Sequence, residues 1–407
     1  MNILFLTLVE FNSLEERNIY TDLLREFKKN GHRVCAISPI EKRKNIKTHV
    51  VNEGSTRILR LQTGNAQKTN IIEKGMSILK LQSQYRKAIE YYFSDIRFDL
   101  ILYSTPPITL VDAVQFVKNR DNAVTYLLLK DIFPQNAVDI GMLSMKGIKA
   151  VLYKHFRRQE INLYRVSDHI GCMSQANVEY VLRHNPDIDS SKVEICPNSI
   201  EVVDKQIDKE TRFHIRKKYG IPQEKKVFVY GGNLGKPQGI PFFIECLKES
   251  ADISDAFFLV IGDGTEYSLL EKYEKDSNQT NFKLMKRLPK EDFDLMVAAC
   301  DIGMIFLDYR FTIPNFPSRI LSYMQAHLPV LAITDQASDV GKVIENAEFG
   351  WYCSSNNSKE VKRKIKEIIK CQDLAMKDNS FIYLKDNYSV EKSYNIIMSK
   401  LKGVTER

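Results

Sequence analysis

Apolar residues fall into short continuous runs and longer amphipathic stretches that alternate along the whole chain. Apolar runs of roughly four to eight residues between turn formers predict strands buried on both faces, and apolar positions three and four apart predict the helices that cover them. Residues 1–8 predict a first strand, 19–30 an amphipathic helix closed by Gly31, and 32–38 a second strand. Residues 41–75, rich in Lys, Asn and Thr with little periodicity, predict surface loops. Residues 70–93 predict a helix, 98–104 a strand, 110–118 a helix and 124–129 a strand. Strands at 169–174 and 193–197 precede a polar, charged stretch at 201–223, the expected domain junction. Beyond it, strands at 226–230, 257–261, 282–289, 302–307 and 330–334 alternate with helices, and helices at 358–371 and 389–401 close the pattern. Strand–helix alternation at this length predicts an α/β protein of two domains, since one core stops growing at about 250–300 residues.

Residues 311–332, FTIPNFPSRILSYMQAHLPVLA, complete a strand–loop–helix–strand unit with the apolar run before them. Pro314 and Pro317 shape the loop, and Pro329 ends the helix. The loop and helix start then lie at the carboxyl edge of a parallel sheet, where open α/β sheets bind ligands. Ser318 is placed to cap the helix, with the first amides facing the crevice. Arg319 in the first turn opposes the helix dipole unless an anion is shared with those amides, so it reads either as a phosphate ligand or as a cation reaching water.

A second turn, Gly231-Gly232-Asn233-Leu234-Gly235-Lys236-Pro237-Gln238-Gly239, joins a strand to a helix start and predicts a phosphate cradle. Lys236 there either meets phosphate or reaches solvent. The turn after the first strand, residues 9–17, has no glycine, which argues against a nicotinamide dinucleotide and leaves Glu15, Glu16 and Arg17 as its polar candidates. Lys130 and Asp131 end the strand at 124–129. An acid at that edge is costly to bury without a partner, and Asp131 reads either as a group for substrate hydroxyls or as the cap of the turn before Pro134. Residues 141–165 carry Met142, Met145, Ile148, Val151 and Leu152 among Lys146, Lys149, Lys154, Arg157 and Arg158. That pattern predicts a basic helix whose apolar face is divided between core and an anionic membrane surface.

Composition narrows the classes. With 43% hydrophobic and 27% charged residues the chain is an ordinary soluble globular protein, and no apolar run reaches bilayer-spanning length. A net charge of +8 permits anionic partners without naming one. Zinc-finger spacing, RNP aromatics and a helix-turn-helix signature are all missing, so no nucleic acid is expected. The seven cysteines are scattered without a Cys-x-x-Cys pair, which suits buried thiols in a reducing cytoplasm.

Pro317-Ser318-Arg319-Ile320-Leu321-Ser322-Tyr323-Met324, followed by His327-Leu328-Pro329-Val330-Leu331-Ala332, resembles the nucleotide-sugar segment of the retaining glycosyltransferases of family 4, found in bacterial capsule, O-antigen and exopolysaccharide synthesis. The glycine turn at 231–239 resembles that family's phosphate loop, and Gly262-Asp263-Gly264 its next turn. The resemblance implies the GT-B fold, two Rossmann-like domains facing each other across a cleft. Here these would be an acceptor-binding domain over 1–203 with a crossover helix near 386–404, and a nucleotide-sugar-binding domain over 204–385.

It implies nucleotide-sugar contacts from Gly232, Asn233, Gly235, Lys236, Gln238, Asp263, Arg287, Leu288, Pro317, Ser318, Arg319 and Ser322, and catalytic roles for Asp131 and Lys130. Glu15, Glu16, Arg17, Ser174 and Asn198 would line the acceptor side. The chain departs from the family where two glutamates eight positions apart are replaced by Pro314 and Ser322, and where Arg and Lys are replaced by Asn233 and Gln238. The implied reaction moves an N-acetylated hexosamine or deoxyhexosamine from a UDP donor to a lipid-linked saccharide, at the inner face of the cell membrane. Neither cofactor nor metal is expected, since amides and cations can stabilise the leaving diphosphate without one. Two other readings are a nucleotide-sugar epimerase on the same frame and a non-catalytic partner in a polysaccharide assembly complex.

Overall fold

The computed structural model describes residues 1–65, 71–147, 149–371 and 375–401. The chain divides into two units, one of residues 1–201 with the segment from Val390, the other of residues 202–389. The sequence pattern places these junctions at 203/204 and 385/386.

The first unit runs β1 (Asn2–Leu6), α1 (Ile19–Lys29), β2 (Arg33–Glu41), β3 (His49–Glu53), β4 (Thr56–Thr63), α2 (Ile71–Tyr92), β5 (Leu100–Ser104), α3 (Val111–Asp121), β6 (Val124–Leu129), α4 (Gln135–Asp139), α5 (Lys149–Val166), β7 (His169–Cys172), α6 (Gln175–His184) and β8 (Val193–Ile195). Its sheet has the order β3-β4-β2-β1-β5-β6-β7-β8, parallel except for the β3–β4 pair. Side chains alternate across it. Leu4, Leu6, Ile101, Tyr103 and Leu127 pack with α2 and α3 on one face, and Ile3, Phe5, Leu100, Leu102 and Leu128 with α1 on the other. Burial on both faces is why these strands read as unbroken apolar runs.

Residues 41–75 are not all surface loop. They contain β3 and β4, and β4 lies inside the sheet between β3 and β2, with Ile58, Leu59 and Arg60 buried. A buried arginine breaks the polar–apolar alternation that identifies a strand. The helix expected over 141–165 starts only at Lys149, because Gly141 and Gly147 both take positive φ, +76° and +64°. Asn70, Ile148 and residues 402–404 of the expected crossover helix lie outside the described residues.

The second unit runs α7 (Lys209–Lys218), β9 (Lys226–Asn233), α8 (Ile240–Glu249), β10 (Ala256–Asp263), α9 (Tyr267–Asp276), β11 (Phe282–Lys286), α10 (Lys290–Ala298), β12 (Ile302–Phe306), α11 (Arg319–Gln325), β13 (Val330–Thr334), α12 (Val340–Asn346), β14 (Gly350–Ser354), α13 (Ser358–Lys370) and α14 (Ala375–Asn387). All strands are parallel in the order β11-β10-β9-β12-β13-β14, the Rossmann order. The polar stretch at 201–223 holds α7, which is anchored by Arg216, 1% exposed. Its guanidinium donates to the Ala299 carbonyl (2.8 Å) and pairs with Asp301 (2.7 Å).

The last helix, α15 (Val390–Ser399), belongs to the first unit. Its Tyr394 ring sits 4.9 Å from that of Phe27 on α1, and the Val390 amide donates to the Ile200 carbonyl (3.1 Å). The strand order reverses between β1 and β5 in the first sheet and between β9 and β12 in the second. Such switch points are where open α/β sheets form ligand crevices.

Candidate functional site

At the second unit's switch point, the turn after β9 is closed on itself. The Tyr230 hydroxyl donates to the Asn233 carbonyl (2.7 Å), and the Leu234 amide donates to the Asp263 carbonyl (3.0 Å). The buried Gln238 accepts from the Gly235 amide (3.0 Å) and from Asn233 Nδ2 (3.1 Å) through one oxygen. Gln238 therefore staples the turn, and the Gly235 amide, one of those expected to face phosphate, is used inside it. A side chain at Gly264 would run into the Leu234 carbonyl, so β10 can come this close only as glycine.

The helix start departs from expectation too. Ser318 makes no capping hydrogen bond. The Ile320 and Leu321 amides donate to the Pro317 and Ser318 carbonyls (3.3 and 3.1 Å), so a tight first turn uses internally the groups expected to face a ligand. Arg319 remains open. Its guanidinium carbon lies 4.2 Å from the centre of the Tyr230 ring, a cation–π stack that fixes the fork. Its Nη1 is buried without a hydrogen-bond partner. Gly232, at φ +126°, leaves the space that Arg319 faces: a Cβ there would meet guanidinium atoms first, at 3.7 Å. Behind it, the Tyr323 hydroxyl accepts from the Gly231 amide (3.1 Å) and donates to the Met304 carbonyl (3.0 Å), tying α11 to β9 and β12.

The structure thus gathers Gly232, Asn233, Gly235, Gln238 and Arg319 at one switch point. Lys236 is exposed on the turn, and Asp263 is exposed with Oδ1 accepting from the Gly264 amide (2.9 Å). Pro317 and Ser322 are half-buried, Ser318 is exposed and Pro314 is buried. Arg287 and Leu288 follow β11, the edge strand, with β10 between it and β9.

In the first unit the edge of β5, β6 and β8 forms a second polar cluster. Thr105 Oγ1 accepts from the amides of both Lys130 (2.9 Å) and Asp131 (3.2 Å), and so aims the dipeptide. Lys130 Nζ donates to the Cys196 carbonyl (3.2 Å), and Asn136 Nδ2 donates to Asp131 Oδ1 (2.7 Å). Burial pushes the Asp131 carboxyl up to about 6 against the Asn136 hydrogen bond, and burial lowers Lys130 to about 8. Tyr20 of α1 is buried here, and its hydroxyl is held above the usual range by burial, against a hydrogen bond from Ser104 and with the Asp131 charge adding to the rise.

Ser174 is buried with Oγ 3.0 Å from Asn177 Oδ1, and Asn198 is buried at the end of β8. On the glycine-free turn, Glu15 is exposed, Glu16 accepts from Asn12, and Arg17 pairs with Asp22 (3.4 Å) and Glu201 (3.2 Å). Thr105, Asn136, Tyr230 and Tyr323 were missed by the sequence reading. The one local signal for Thr105 was its place at the end of a strand before Pro106-Pro107.

Residues 211–382 match the family model described as "Glycosyl transferases group 1". The chain is 25% identical over 295 residues to the probable glycosyltransferase WbjE of Pseudomonas aeruginosa, covering 72% of each. It is 24% identical over 213 residues to the putative colanic acid biosynthesis glycosyl transferase WcaI of Escherichia coli, covering 50% of this chain and 49% of that one. Its fold is similar to that of sucrose-phosphate synthase from Thermosynechococcus elongatus (TM-score 0.77, 14% identity, all of both chains). It is also similar to Anabaena Alr3699/HepE in complex with UDP and glucose (TM-score 0.70, 14% identity, 99% of this chain and all of that one). The two parallel-stranded sheets match GT-B structures, and the likenesses together support a glycosyltransferase.

Proposed function

We propose that this protein is a retaining, metal-independent glycosyltransferase of family 4 type that moves a sugar from a nucleoside diphosphate, UDP above others, to a lipid-linked saccharide in surface polysaccharide assembly. The observation that carries the reading is Arg319. It holds a buried, unpartnered donor beside an open glycine at a Rossmann switch point. When the sugar–phosphate bond breaks, negative charge grows on the departing diphosphate, and a fixed guanidinium stabilises that charge more than it stabilises the intact donor. Lys236, exposed on the neighbouring turn, supplies a second, mobile cation. Complexes of Alr3699/HepE with UDP and glucose support a nucleotide-sugar donor here, and the likeness to WcaI supports polysaccharide assembly.

The acceptor belongs at the first unit's edge, where Asp131 is aimed by Thr105 and Asn136 to accept from a sugar hydroxyl. Transfer of an N-acetylated hexosamine or deoxyhexosamine is the finer reading that the family resemblance favours. No helix among the described residues is long and apolar enough to cross a membrane. On α5, Val151 and Leu152 are exposed, 73% and 45%, beside exposed Lys149, Lys154 and Arg158, which supports peripheral contact with anionic lipid. A second reading, a non-catalytic partner, is favoured by Pro314 and Ser322, which offer no carboxylate where the family places its glutamates.

Calorimetric titration of UDP, GDP and ADP tests the proposal. UDP is expected to bind, and Arg319→Ala to weaken it by about 10- to 100-fold, the worth of a charge-assisted hydrogen bond. No binding of any nucleotide at millimolar concentration would overturn the transferase reading in favour of the partner reading.

A further inference from the structure

The chain from Tyr309 to Thr334, which holds the loop leading into α11, carries no acidic side chain, and an aspartate stands at each end of it. Both are buried, Asp308 at 6% and Asp335 at 1% exposure, and their charges are met differently. Asp308 forms a fork with Arg310 (2.9 and 2.7 Å). Among the described residues no Lys, Arg or His pairs with Asp335. Its two oxygens both accept from Ser338 instead, Oδ1 from the amide (2.8 Å) and Oδ2 from the hydroxyl (2.9 Å). An ionised carboxylate out of water without a cation costs stability, so one kept at the carboxyl end of β13 needs a reason.

The direction of the hydrogens supplies one. The Asn315 amide donates to Ser338 Oγ (2.9 Å), and an N–H can only donate. Ser338 therefore accepts from Asn315 and gives its single hydrogen to Asp335, which keeps the lone pairs of the hydroxyl turned toward the loop. The relay runs from the end of β13 to the loop before α11 and grips it just ahead of Arg319. Pro314 and Pro317 flank the gripped residue, and their fixed φ leaves little slack between Asn315 and the helix start. Burial holds the Asp335 carboxyl up at about 6 against the hydrogen bonds from Ser338, and Tyr352 of β14 is the titratable side chain that feels its charge.

We infer that Asp335 is a positioning residue of the nucleotide-sugar site, acting through Ser338 and Asn315 to set the loop from which Arg319 projects. The inference rests on the nucleotide half of the proposed transferase reading.

Hydrogen exchange over residues 311–318 of the free protein and calorimetric titration of UDP test it, on wild type, Asp335→Asn and Ser338→Ala. Both variants should exchange faster than wild type over that loop and bind UDP roughly three- to tenfold more weakly. Melting separates positioning from a plain structural role. Asp335→Asn removes a buried charge, so at pH 8 it should melt higher than wild type while binding UDP less tightly. The gap in melting should shrink at pH 4, where wild-type Asp335 carries its proton. The inference is overturned if loop exchange is unchanged in both variants, if it speeds up with UDP affinity unchanged, or if Asp335→Asn melts lower at pH 8. Should wild type fail to bind UDP while the loop still loosens in both variants, the donor assignment falls and the hold of Asp335 on the loop is supported.

Discussion

The turns after β1 and β9 stand at the same topological place, the first strand of a Rossmann-like unit beside its switch point, and they are built in opposite ways. The β9 turn is glycine-bearing and held by its own backbone and Gln238, and it leaves open space that Arg319 faces. The β1 turn has no glycine and is held by side chains. Arg60, 2% exposed on β4, donates to Glu10 (2.8 Å) and to Asn12, and the Phe11 amide donates to Ser38 Oγ (2.8 Å). In the first unit the buried polar groups gather further along the edge instead, where Thr105 Oγ1 accepts from the Lys130 and Asp131 amides. The comparison teaches that the switch point supplies the place and the turn decides what enters it.

Removing Arg60 should break that comparison hardest. Arg60→Met leaves Asn12 and one oxygen of Glu10 without their donor and should cost about 3 kcal/mol in urea unfolding of the first unit, with UDP binding to the second unchanged. A loss well under 1 kcal/mol would show that the glycine-free turn does not depend on Arg60.

Asp131 sharpens the comparison through pH. Its folded pKa of about 6 lies above the usual value near 4, so the group costs stability progressively as pH rises from about 4 to about 6, and the cost persists above that. Asp131→Asn should match wild type at pH 4 and be about 3 kcal/mol more stable at pH 8, while losing transfer activity. Wild-type transfer should rise through pH 6 as the carboxylate forms. Equal stabilities at both pH values would mean that Asp131 is not held ionised at a cost.

Ser318→Ala should change least, under about 0.5 kcal/mol, because the side chain makes no cap; a helix whose serine did cap would lose about 1 kcal/mol.

The two turns also show what the sequence discloses. Strands buried on both faces were legible as apolar runs, and the alternation of strands with helices foretold two sheets. β4 was hidden because Arg60, a residue that reads as surface, is buried in it by partners far along the chain. The meeting of the glycine turn and Arg319 at the second unit's switch point was legible through its glycines, since positive φ and close approach leave a residue-type signature. Its wiring was not legible. Ser318 and Gln238 are each in the expected place, but whether a hydroxyl caps or an amide staples depends on how the neighbouring backbone lies. Thr105 meets Asp131 through folding that brings two strand ends together, which no local pattern announces, whereas Asn136 reaches Asp131 from the same segment of chain.

The closing helix sets an order of events. The first unit's core includes Val390 and Ile397 against Phe27 and Leu24, so one face of α1 stays uncovered until the chain beyond residue 389 has been made. The second unit, continuous from 202 to 389, has all its strands beforehand. On the ribosome, the half begun first is therefore the half finished last, and a nascent chain halted before α15 would carry a complete second unit beside a first one still exposing an apolar surface.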